Sequence, residues 1–366
     1  MSSLKPNPWL EKLDVYEGGR SKAPGAARVI KLSSNESALG ASPRVLAAYR
    51  DAATTLHRYP DATSWDLKEA IGEAHGLDPA RIVCGLGSDE ILKLACRAYA
   101  GPDTEVIYSR YGFMMYPIAA RSVGATPVEA ADVNYTADVK AILDAVTART
   151  RIVFLANPNN PTGTYLPRHE IERLAGGLPP HVLLVLDAAY AEYVDSDDYV
   201  AGHELVANFP NVLVTRTFSK IYGIAALRLG WGYGSAEVTE TLERLRDPFN
   251  VPAPTQAAGI AAVRDQEWVA RARNYNAIWR QQMTDAVSDL GLTVAPSAAN
   301  FILIRFPERD GVTAEAANAF LTKNGVLLRW LPKQGLGDCL RMTIGLEEEN
   351  REALRLLKSF LESGRQ

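Results

Sequence analysis

The sequence predicts an α/β protein: a large domain with a mostly parallel sheet flanked by helices, plus a smaller α+β domain. Two observations carry the large domain. Short, near-continuous apolar segments recur at 81–84, 105–108, 151–156, 182–187 and 211–216. Helical stretches lie between them, such as the one that follows GLGSD at 85–89. Apolar strands alternating with helices indicate a parallel sheet buried on both faces. A third observation sets the smaller domain apart: after PFNVPAP (248–254), helices and strands mix without that alternation.

The elements follow in order. Residues 1–44 are rich in Pro, Gly, Ser and charge, and read as an N-terminal arm and part of the small domain. Ser42 is a good N-cap and Pro43 a good first helical residue, so a helix is predicted to about residue 55. Residues 64–75 place Trp65, Leu67 and Ile71 among polar residues, at helical spacing. The strand–helix alternation fills the domain at 45–247, with helices near 168–175 and 237–246. In the domain at 248–366, one helical stretch is expected from 255 to about 290. Strands follow at 300–305, 326–329 and 339–344, and helices near 313–323 and 348–361.

Composition excludes several classes of function. The chain has 366 residues, 47% hydrophobic and 22% charged, which suits a globular protein with ample core. Its net charge of -4 carries no basic excess for nucleic acid or an anionic membrane. Cys84, Cys96 and Cys339 form no CxxC pair, and the five histidines have no ligand spacing, so no metal site is expected. The first twenty residues lack an apolar core, and no window approaches the ~18 apolar residues of a membrane span. A cytoplasmic location is expected.

In such sheets ligands bind beyond the carboxyl ends of the strands, so the residues just after each strand carry the chemistry. RIVFLA is followed by NPNNPTG (157–163), VLLVL by Asp187 and Tyr190, and NVLVT by Thr217, Ser219, Lys220 and Arg228. RIVC is followed by a glycine turn and the helix start Ser88–Asp89. Each piece alone also reads structurally, as a turn, a cap or a solvated cation. Together they suit pyridoxal 5'-phosphate. Lys220 offers the Schiff-base amine, and Asp187 a carboxylate for the pyridine nitrogen. The helix start, Ser88, Asp89, Thr217, Ser219 and Arg228 surround the phosphate. Asn160 and Tyr190 donate to the phenolic oxygen, and Tyr111 offers a ring to stack on the cofactor.

The motifs NPNNPTG, Asp187…Tyr190, TFSKIYGIAALRLGW (217–231), RYPD (58–61) and CLRMTIG (339–345) resemble the fold-type I pyridoxal-phosphate aminotransferases. RYPD and CLRMTIG point to their histidinol-phosphate branch. The resemblance spans about residues 16 to 351. It implies ping-pong amino transfer between histidinol phosphate and 2-oxoglutarate in histidine biosynthesis, with Lys220, Asp187 and Tyr190 catalytic. It also implies a homodimer in which Tyr59 reaches the neighbouring cofactor's phosphate. Arg341 and Arg329 would hold the substrate's anionic group, while Tyr16 and Asn35 would close over the substrate. Two other activities fit the same scaffold: an aromatic amino-acid aminotransferase, and a pyridoxal-phosphate decarboxylase of a phosphorylated amino acid.

Overall fold

The computed structural model describes residues 4–13, 15, 18–25, 28–307 and 311–363. Seven strands form the main sheet. Their spatial order is Ile82–Gly85, Gly230–Tyr233, Val212–Thr217, Leu183–Asp187, Thr150–Ala156, Glu105–Ser109 and Thr126–Ala130. Six run in one direction, and Gly230–Tyr233 runs against both of its neighbours. This is the mostly parallel sheet that the apolar segments predict.

Two of its strands left no sequence signal. Thr126–Ala130 lies at an edge and is largely part-exposed, so it carries no apolar run. Gly230–Tyr233 reads GWGY, and glycine is a poor strand former. Close approach explains the first glycine: a Cβ at Gly230 would come within 2.2 Å of the Ser88 nitrogen.

The central strands Leu183–Asp187 and Val212–Thr217 are buried throughout, which is why they read as continuous apolar runs. Their side chains alternate between two cores. Leu184, Leu186, Val212 and Val214 pack with Leu67, Ile71 and Leu174 on one face. Leu183, Val185 and Leu213 pack with Ile91, Tyr116 and Phe154 on the other. The same period of two puts Asp187, Thr215 and Thr217 on the second face and Arg216 on the first.

Local signals set most helix starts. The Ser42 hydroxyl accepts from the Val45 N–H, and Pro43 opens the helix Pro43–Ala52. Trp65–His75 stops at Gly76, whose φ of 67° suits glycine. The single helix expected from 255 to 290 is instead two, Ala253–Arg264 and Gln266–Asp289. The break falls at Asp265, whose carboxylate caps the second helix by accepting the Trp268 N–H. No glycine or proline marks that position.

The smaller sheet is antiparallel, in the order Thr293–Val294, Phe301–Arg305, Leu336–Thr343, Arg329–Leu331. Its Ile302, Ile304, Leu340 and Met342 share a core with Leu321, Leu357 and Phe360 of the helices Ala314–Lys323 and Glu347–Ser363. The strand expected at 326–329 divides: Val326–Leu327 pairs in parallel with Ile30–Lys31, and Arg329–Leu331 joins the small sheet. Ile30 and Leu32 enter the same core, which ties the N-terminal segment to the C-terminal part of the chain. Among the described residues, no helix is long and apolar enough to cross a membrane, and no side-chain cluster could hold a metal ion.

Candidate active site

A cavity of about 300 Å³ lies at the carboxyl ends of the parallel strands. Ala156, Asp187, Thr217, Ser219 and Lys220 line it from the main sheet, and Arg329, Leu331 and Arg341 from the small sheet. The doubly wound topology explains the place, because the loops leaving adjacent parallel strands diverge there.

One corner is built for an anion. Ser88 and Asp89 open the 12-residue helix Ser88–Tyr99, whose first N–H groups have no helical partner. Gly87 precedes them with φ 80°, and a Cβ there would meet Arg228 Nη2 at 2.5 Å. Glycine is therefore required for the arginine to lie against the turn. Arg228 Nη1 donates to Ser219 Oγ at 3.3 Å, and Nη2 donates to Asp89 Oδ2 at the same distance. Thr217 Oγ1 accepts from the Ser219 N–H at 3.1 Å, which fixes the turn that presents the Ser219 hydroxyl.

A second carboxylate, that of Asp187, lines the same cavity. Asp187 is buried at its strand's end, where Tyr116 donates to Oδ2 at 2.9 Å and Thr215 to Oδ1 at 3.3 Å. These hydroxyl donors are neutral. Burial therefore dominates and pushes the carboxyl up to about 6, with Asp89 adding a smaller push in the same direction. Lys220 Nζ stands 5.6 Å from the centroid of the Tyr190 ring.

The side walls are tied to one another. Asn35 adopts φ 55°, a conformation that asparagine tolerates. Its Oδ1 accepts from Thr343 Oγ1 at 3.2 Å, which fixes the amide so that Nδ2 donates to the Tyr190 hydroxyl at 2.8 Å. Tyr190 thereby keeps its own hydrogen to donate into the cavity. Arg341 donates through Nη1 to Asn160 Oδ1 and through Nη2 to the Ser33 carbonyl at 2.9 Å. Arg329 lies opposite it in the antiparallel register, so two guanidinium groups come from adjacent strands. Behind the sheet, buried Arg216 pairs with buried Glu192 at 2.7 Å. That pair ties the loop bearing Tyr190 to the strand that ends at Thr217.

A buried carboxylate with no charged donor, an amine, an anion cradle, the amide of Asn160 and the hydroxyl of Tyr190 converge on this one cavity. The sequence profile described as aminotransferase class I and II matches residues 27–357. The chain belongs to the class I and II aminotransferases. Curated histidinol-phosphate aminotransferases from Paramagnetospirillum magneticum and Rhodospirillum centenum are each 52% identical to it over 361 residues, covering 99% of both chains. A solved histidinol-phosphate aminotransferase from Sinorhizobium meliloti, in complex with pyridoxal-5'-phosphate, superposes with a TM-score of 0.92 at 29% identity, covering 99% of each chain.

The donor set of this aminotransferase fits pyridoxal phosphate. The cradle at Ser88, Ser219 and Arg228 suits a phosphate, and the carboxylate of Asp187 lacks the cation that a protonated pyridine nitrogen would supply. Most of the residues expected from sequence line the cavity: Asn35, Ser88, Asp89, Asn160, Asp187, Tyr190, Thr217, Ser219, Lys220, Arg228, Arg329 and Arg341. Three do not. Tyr16 lies outside the described residues. Tyr59 is 83% exposed and stacks on Phe249, 4.7 Å between ring centroids, away from the cavity of its own chain.

Tyr111 requires a correction, because it is not part of the aminotransferase's cavity lining. Its N–H donates to Asp132 Oδ2 and its carbonyl accepts from Asn159 Nδ2, so the turn is held with the ring against Tyr135. Phe113, two residues on, is the aromatic that lines the cavity. Sequence reasoning also missed Ser33, Glu36, Gln334 and the Tyr116 behind Asp187. The one available signal was the aromatic cluster YGFMMY (111–116), which held three candidate rings.

Proposed function

We propose that this aminotransferase moves the amino group of histidinol phosphate to 2-oxoglutarate in histidine biosynthesis, by ping-pong transfer on pyridoxal 5'-phosphate. The observation that carries the substrate is the 52% identity, across essentially the whole chain, to curated proteins of that name. The paired arginines support it, since guanidinium forks suit both a phosphate monoester and a carboxylate.

When bound, pyridoxal phosphate supplies an electron-withdrawing ring that takes up the electron pair left by the departing α-proton. The protein does the rest. Lys220 Nζ would be the attachment amine; once released, it would take the α-proton and deliver it two atoms away, to the carbon through which the cofactor had been joined to the lysine. Asp187 keeps a proton on the ring nitrogen. Asn160 and Tyr190 direct their N–H and O–H hydrogens at the phenolic oxygen. Phe113 covers one ring face in place of Tyr111. Ser88, Asp89, Thr217, Ser219 and Arg228 hold the phosphate end. Arg341 and Arg329 hold the substrate's anion, and Asn35 and Tyr16 close over it.

The same reading makes the enzyme a cytoplasmic homodimer, with Tyr59 of each protomer reaching the other's phosphate cradle. The exposure of that ring supports this. The reading also divides the chain into an arm with part of the small domain (1–44), a cofactor domain (45–247) and a small domain (248–366). The separate cores of the two sheets support the division.

A coupled assay tests the substrate. Histidinol phosphate with 2-oxoglutarate is expected to turn over with the highest kcat/KM, ahead of phenylalanine and tyrosine. A preference for the aromatic amino acids would overturn the assignment, as would release of carbon dioxide without need of a keto acid.

Arg341 gives a sharper expectation. It is buried, with Nη1 donating to Asn160 and Nη2 to the Ser33 carbonyl, so its position is set before substrate arrives. Arg341→Ala is expected to lower kcat/KM by about a hundredfold for both substrates, the scale of a lost charge-assisted fork. Arg341→Lys should recover only part, because an ammonium cannot form the fork. Steady-state kinetics with each substrate varied in turn reads both results.

A further inference from the structure

Tyr116 belongs to the helix Met115–Ser122 and is fully buried. It is absent from the cavity lining, yet its hydroxyl reaches Asp187 Oδ2 at 2.9 Å. Its ring is held on two sides. It stacks on Phe154 at 4.8 Å with planes 6° apart, and meets Phe113 edge-on at 5.8 Å. A ring so confined presents its hydroxyl in one place, which makes this a fixed donor.

The need for such a donor follows from what surrounds Asp187. Thr215 comes from the neighbouring strand and Tyr116 from the covering helix. Tyr190 and Tyr199 lie beyond its own strand, and Asp89 adds a like charge from the start of the helix Ser88–Tyr99. Lys220 shares the cavity. Burial and Asp89 both favour the neutral acid. Of the hydroxyl bonds, the one from Tyr116 is the shorter, and a donor to a carboxylate favours the anion.

We propose that Tyr116 is a positioning residue: its hydroxyl holds Asp187 ionised and in one orientation, so that the carboxylate is ready to pair with a protonated ring nitrogen. This rests on the assignment of pyridoxal phosphate to the cavity. Tyr116 touches neither cofactor nor substrate and acts only through Asp187.

The test is a binding titration of the full-length chain with pyridoxal phosphate from pH 5.5 to 8.5, following the visible band of the lysine-bound cofactor. In the wild type, affinity is expected to fall as pH drops through about 6, where Asp187 takes up its proton. Tyr116→Phe keeps the stacked ring and removes only the donor. It should move this acid limb up by about one pH unit, which weakens binding by nearly tenfold at pH 5.5 and leaves it almost unchanged at pH 8. Leu242→Ala thins the same core but changes neither Tyr116 nor the rings that hold it, and should leave the limb where the wild type has it. An unshifted limb in Tyr116→Phe overturns the proposal, and so does an equal shift in Leu242→Ala. Absence of a saturable band in the wild type would instead overturn the cofactor assignment itself.

Discussion

Lys220→Ala is expected to abolish amino transfer, with kcat falling by about five orders of magnitude or more. Lys220 is the one lysine among the described lining residues, so no second amine can take over attachment or proton transfer. The anion cradle at Ser88, Ser219 and Arg228 is untouched by the change. The variant should therefore still bind pyridoxal phosphate, with the absorbance of the free aldehyde rather than the lysine-bound band. Added methylamine should restore a measurable fraction of the rate. Retention of the lysine-bound band in the variant would remove Lys220 from its role.

Asp187→Asn is expected to separate activity from stability. An amide cannot hold a positive charge on the ring nitrogen, so kcat should fall by about a thousandfold or more. Stability should move the other way. In the folded chain the carboxyl is raised from 3.8 to about 6, so above pH 6 the protein holds a buried anion that the unfolded chain would solvate. A raised acid makes the cofactor-free fold more stable as pH falls from 6 toward 4, and less stable above. At pH 7 the difference is at most ~3 kcal/mol. Cofactor-free Asp187→Asn, which can still accept from Tyr116, should then melt at or above the wild-type temperature. Cofactor should stabilise the wild type far more than the variant. Calorimetry with and without pyridoxal phosphate checks both statements.

Much of the site was legible because it hangs on strand ends. A buried parallel strand such as Leu183–Asp187 announces itself as an apolar run, and the polar residue that ends the run must face the ligand crevice. Asp187, Asn160, Lys220 and Arg228 were all reached this way. The aromatic wall was not. Whether Tyr111, Phe113 or Tyr116 faces the cavity depends on the turn through Gly112. That turn is held by Asp132 and Asn159, which lie 21 and 48 residues further along the chain from Tyr111. No local pattern encodes such contacts. The break at Asp265 was hidden for a different reason: a capping aspartate inside a continuous helical period looks like any exposed polar residue.

The bond from Arg341 to Asn160 joins two residues to which the proposed function gives different jobs. In the proposed function one partner answers to the incoming anion and the other to the cofactor's oxygen. An anion that draws the guanidinium toward itself also alters the charge felt by the amide, and the reverse holds by thermodynamic linkage. On that reading donor and acceptor substrates would be sensed by the same lever, each reporting its arrival to the ring through this side-chain contact. Substitutions at the two positions are therefore expected to be non-additive in their effects on affinity, which a double-mutant cycle measures.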